Sequence, residues 1–133
     1  MAVEFALVIP ILLIVVFGII NLGFVFAQQI ALSNGARQGA RYAVVDDRTC
    51  TQIVSETRNS AETVGMTASQ VPTPVISPTC SGSSKPCSGT TAGTNVTVTM
   101  TRSATWAVPF APLFTSGNAP TLVGKGVMRC EFK

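Results

Sequence analysis

The chain is apolar almost without interruption from Phe5 to Ala27, FALVIPILLIVVFGIINLGFVFA, with Asn21 as the single polar side chain. At about 1.5 Å per residue this stretch makes a rod of roughly 35 Å, enough to cross a hydrocarbon core of about 30 Å. Beyond it the pattern turns amphipathic. Asn34, Arg37, Gln38 and Arg41 fall on one side of a helical projection, and Leu32, Gly35, Ala36, Gly39 and Ala43 on the other. A single helix from Ala2 to Val45 follows, with Asp46 and Asp47 marking its end.

The remainder changes period. Thr49 and Gln52 have the spacing of a capping box, and Ile53, Thr57, Ala61 and Val64 form one face of a second helix ending near Gly65. Val71 to Ser77 carries Pro72 and Pro74, which confines any strand there to a sheet edge. Thr79 to Gly93 is a Ser/Gly/Thr-rich loop. From Thr94 to Trp106, Val96, Val98, Met100, Ala104 and Trp106 alternate with Thr and Ser; from Leu122 to Phe132, Leu122, Met128, Cys130 and Phe132 alternate with Lys125, Arg129 and Glu131. Between them Val108, Phe110, Leu113 and Phe114 make an apolar loop, interrupted by Pro109 and Pro112, that either joins the core or offers a contact patch. The expected fold is α+β: a long N-terminal hydrophobic helix, a short helix and a small antiparallel sheet of about three strands. The expected division is a helix over 1–45, its apolar half 1–27 and amphipathic half 28–45, and a head domain over 46–133.

Two features mark the long helix itself. Pro10 has no N–H for the Ala6 carbonyl, which predicts a kink or loosened turn there. Gly23, Ala27, Ala31, Gly35, Gly39 and Ala43 recur every four residues, a ridge that lets helix backbones approach closely and that winds around the rod. The same residues would also serve packing within the chain's own domain.

Composition narrows the function. The net charge of +3 is spread along the chain, so there is no basic footprint for nucleic acid. Without histidine there is no Ser/His/Asp set, the acids form no catalytic pairing, and Gly124-Lys125-Gly126 lacks the spacing of a phosphate loop. No catalytic residue, cofactor, metal ligand or small-molecule substrate is assigned, and an enzyme is not expected. Charged residues are only 11% of the chain and the mean hydropathy is +0.44, so part of the surface is expected to face something other than water. Asn95-Val96-Thr97 matches a glycosylation sequon inside the best strand.

Cys50, Cys80, Cys87 and Cys130 are even in number and lack the C-x-x-C spacing of zinc sites, which favours two disulfides in an oxidising compartment. Of three possible pairings, the reading favours Cys80–Cys87, closing a short loop, and Cys50–Cys130, tying the second helix to the last strand.

The flanks of the rod decide among its roles. A secretory signal peptide, which wants a basic leader and a shorter apolar run, is disfavoured by Met1-Ala2-Val3-Glu4 and the length of the run, although Val25-Phe26-Ala27 has the form of a small-residue cleavage site. A plain membrane anchor fits the length. Arg37 and Arg41 then argue for a cytoplasmic head by the positive-inside rule, against the cysteines. A third role is a helix that starts in the membrane and ends inside an assembly. There an acid at its start finds a basic partner, although Glu4 also complements the positive end of the helix dipole.

The segments MAVEFALVIP at 1–10, GARQGARYA at 35–43 and VMRCEF at 127–132 together resemble a TadE-like protein, a pilin-like subunit of the Tad (Flp) branch of type IV pili. Such proteins are cut by a prepilin peptidase after a glycine preceding the hydrophobic helix, and the present sequence looks like the mature form. The family's glutamate usually stands at the fifth mature position; here it is Glu4. The resemblance implies a structural subunit that waits in the bacterial cytoplasmic membrane with its head outside. It then joins an extracellular helical filament with copies of itself or related pilins, with the assembly platform as a further partner. It also implies that Glu4 pairs with the α-amine of a neighbouring subunit, expected at Met1. The alternatives are a minor pseudopilin of the assembly machine and a single-span anchor for an extracytoplasmic binding domain.

Overall fold

The computed structural model describes residues 2–45, 48–63, 65–108 and 118–131. Its first element, α1 (Ala2–Ala43), is one continuous helix carrying Glu4 in its first turn and Arg41 in its last, the arrangement that complements the helix dipole. Pro10 lies inside it, and the helix continues through that position. The second helix, α2 (Cys50–Asn59), begins on a complete capping box. The Gln52 amide donates to Thr49 Oγ1 at 3.4 Å and the Thr49 amide to Gln52 Oε1 at 3.1 Å. It ends at Ser60, earlier than the Gly65 suggested by the sequence, yet Ala61 still continues the buried stripe of Ile53 and Thr57.

Three strands, β1 (Val75–Ser77), β2 (Asn95–Ser103) and β3 (Thr121–Arg129), form an antiparallel sheet in the order β1-β2-β3. The proline-bearing segment is an edge strand, shortened to the three residues after Pro74. Val96, Val98 and Met100 on β2, with Leu122 on β3, face inward onto α1, which completes an α+β pilin-like arrangement.

Helix and sheet approach closely where the sequence supplies no side chain. Gly124 and Gly126 occupy inward positions of β3, and a Cβ on either would overlap the carbonyl group of Leu32 or Ala36 on α1. Strand glycines often mark such close backbone contacts. On the neighbouring face of α1, Gly35 lies against Ala61 and Gly39 against Thr57. The small-residue ridge therefore divides. Ala31, Gly35, Gly39 and Ala43 are buried in the chain's own head, Ala27 is half-buried, and Gly23 is exposed with no other atom near its Cβ position.

The disulfide pairing differs from the expectation of Cys80–Cys87 and Cys50–Cys130. The bonds are Cys50–Cys80 and Cys87–Cys130, with Cα separations of 5.7 and 5.8 Å. Hydrogen bonding of the loop explains the exchange. The Cys50 amide donates to the Ser84 carbonyl and the Thr51 amide to the Gly82 carbonyl, laying one end of the loop across the start of α2. The other end is held by Gly93 and Thr94, whose backbones pair with Cys130. The loop thus spans from α2 to β3, and its two cysteines bond outward to those elements.

Candidate assembly surface on the long helix

Every described side chain from Glu4 to Ile20 is exposed, including Phe5 at 68%, Ile11 at 66% and Ile19 at 68%. An apolar surface of this extent is not left to water, and the helix is long and apolar enough to cross a membrane. The head begins to cover α1 at Asn21, within the segment 1–27 assigned to the apolar half, because one polar side chain there has a partner. From Asn21 onward the helix has two faces. One enters the head; the other keeps Leu22, Phe26 and Ile30 58–59% exposed and then passes to Asn34, Arg37, Gln38 and Arg41.

Polar side chains of α1 fasten the head to the rod. Asn21 Oδ1 accepts from the Ala107 and Val108 amides, both at 3.0 Å. One face further along, Gln28 is fully buried; its Nε2 donates to the Thr105 carbonyl at 3.0 Å and its Oε1 accepts from the Thr105 amide at 3.1 Å. Gln29 Nε2 donates to the Val123 carbonyl of β3 at 2.9 Å. The first two contacts pair backbone groups of the irregular segment that follows β2, and the third pairs a carbonyl of strand β3. In the sequence Asn21 stands out only as the exception in an apolar run, and Gln28 only as the first residue of the amphipathic half. The available signal was two carboxamides seven residues apart, two turns of one helix face, in a stretch otherwise committed to apolar contact.

Glu4 is exposed at the head of the rod, and Met1 lies outside the described residues, as do Asp46 and Asp47. Arg37 and Arg41, with Asn34, Gln38 and Ser60, line an open cleft of ≈ 390 Å³ between α1 and the end of α2. Asn95 is exposed at the start of β2. Trp106, expected in the core, is half-buried at the edge of the head, and Val108 next to it is also half-buried; Phe110, Leu113 and Phe114 of the apolar loop lie outside the described residues.

A helix long and apolar enough to cross a membrane, its first half standing free of a small head among the described residues, is a pilin-like α+β arrangement. Residues 1–41 match the family model described as TadE-like protein. Among curated proteins and solved structures, none matches the chain.

Proposed function

We propose that this chain is a structural subunit of a Tad (Flp)-type pilus, inserted in the bacterial cytoplasmic membrane by α1 and drawn from there into an extracellular helical filament. The observation that carries the reading is the bare rod from Phe5 to Ile20, attached to a head that completes its own core and cross-links. Moving the rod from lipid into a bundle of like helices exchanges one apolar environment for another, so extrusion need not expose it to water. Two disulfides suit a head on the oxidising side of the membrane. That location outweighs the basic pair Arg37 and Arg41, which lie on the head-bearing part of the helix. The role is structural, not catalytic.

In this reading Glu4 of an incoming subunit pairs with the α-amine preceding a neighbour's rod, because an uncompensated charge inside an apolar bundle is costly. A prepilin peptidase and an assembly platform are the partners that handle the subunit before polymerisation. The alternative reading is a minor pseudopilin of the assembly machine, to which the resemblance to TadE-like proteins is equally suited. Replacing Glu4 with Ala tests the pairing: the variant should fractionate with membranes but be missing from sheared surface filaments. Normal incorporation of Glu4→Ala would overturn it.

A further inference from the structure

We infer that, before assembly, the membrane-proximal rim of the head is seated in the outer interface of the bilayer, with Trp106 at the level of the lipid headgroups. The inference rests on the membrane-anchored state of the proposed function and concerns a lipid-binding surface on the head itself.

The argument begins with length. The carboxylate of Glu4 fixes one end of the span, since a charged group does not rest in hydrocarbon when water is within reach. From Glu4 to Asn21, the first position of α1 that the described residues of the head cover, the helix rises only about 25 Å. A hydrocarbon core is about 30 Å thick, and polar layers bring the bilayer to roughly 40–45 Å. The bare rod is therefore shorter than the layer it crosses, and any tilt shortens its projection further. With Glu4 at the inner boundary, the lowest part of the head must enter the outer leaflet's edge.

The rim is built for that position. Asn21 holds the Ala107 and Val108 amides, and Gln28 holds Thr105, so Trp106 lies between levels about 25 and 36 Å above Glu4. That interval straddles the hydrocarbon boundary, where tryptophan is enriched. On a second side the turn at Gly65 meets the same zone: its φ of +79° and the Phe24 ring packed against it leave no room for a side chain. Non-helical backbone is tolerated at membrane depth only when its polar groups are satisfied within the protein. Where the described rim meets the rod at Asn21, the Ala107 and Val108 amides are satisfied by that side chain. Leu22 and Phe26, each 58% exposed on the opposite face, carry the apolar surface up to the same level. Along α1 there is no charged residue between Glu4 and Arg37.

Trp106 is the only tryptophan, so its fluorescence reads this rim without labelling. The full chain is reconstituted into phosphatidylcholine vesicles, recovered by flotation, and compared in vesicles brominated near the ester groups or near the chain ends. The expected result is loss of Trp106 emission to the shallow bromines, a smaller loss to the deep ones, and restricted access to aqueous acrylamide. Thinner bilayers should abolish the shallow quenching. So should insertion of four leucines between Val16 and Phe17, which lifts the rim by about 6 Å. Floating protein whose Trp106 is untouched by either lipid, or is quenched equally with the lengthened rod, overturns the seating. Protein that fails to float overturns the membrane-anchored reading and the seating with it.

Discussion

Gln28 and Thr105 are 77 residues apart in sequence and hydrogen-bonded to each other twice, the side-chain carboxamide of one matched to the backbone N–H and C=O of the other. The pair couples a fully buried position on the rod to the segment that follows β2, so that head and helix behave as one body from Gln28 to Ala43.

Replacing Gln28 with Met keeps the volume and removes both bonds. With Thr105 N–H and C=O left without a partner, the head should lose about 2–4 kcal/mol of stability. Urea unfolding of the detergent-solubilised protein, followed by Trp106 emission, should show a lower midpoint while membrane insertion is unchanged. An unaltered midpoint would mean that the pair is incidental to the docking.

The glycines of α1 and β3 separate by function. Gly126→Ala forces the Ala36 carbonyl away from the strand and should destabilise the head by about 1–3 kcal/mol. Gly23→Ala meets open space and should be neutral, or stabilising by about 0.5–1 kcal/mol through helix propensity. On the proposed assembly, in which a neighbour's helix packs where the single chain leaves room, Gly23→Leu should also leave the unfolding midpoint intact yet lower the yield of sheared filaments.

The cross-links are checked directly. Digestion without reductant should release peptides joining Cys50 to Cys80 and Cys87 to Cys130, with none joining Cys80 to Cys87. Removing the Cys87–Cys130 bond by a double substitution to Ser should cost about 3–4 kcal/mol, since it closes a loop spanning 43 residues of sequence.

Much of this architecture was written in local patterns. The Thr49 and Gln52 box, the β2 alternation and the long apolar run each report on neighbours in sequence, and each forms the expected element. What escaped depends on contacts distant in the chain. Cys80 and Cys87 are near each other in sequence, but hydrogen bonds from Cys50 at one end of the loop and from Cys130 at the other decide which thiols meet. Gly124 and Gly126 signalled a close approach without naming the Leu32 and Ala36 carbonyls as its object. Gln28 looked like one more polar residue at the start of an amphipathic half, although only a partner such as Thr105 makes its full burial tolerable.

The central claim is that the rod from Phe5 to Ile20 is covered by other pilin-like helices once the subunit leaves the membrane. A photoreactive benzoylphenylalanine in place of Phe17, irradiated in cells that are building pili, tests it most directly. The account predicts cross-links from Phe17 to a second copy of this chain or to another filament subunit, recovered in sheared surface material. Adducts to lipid alone, with no protein partner in such cells, would contradict it.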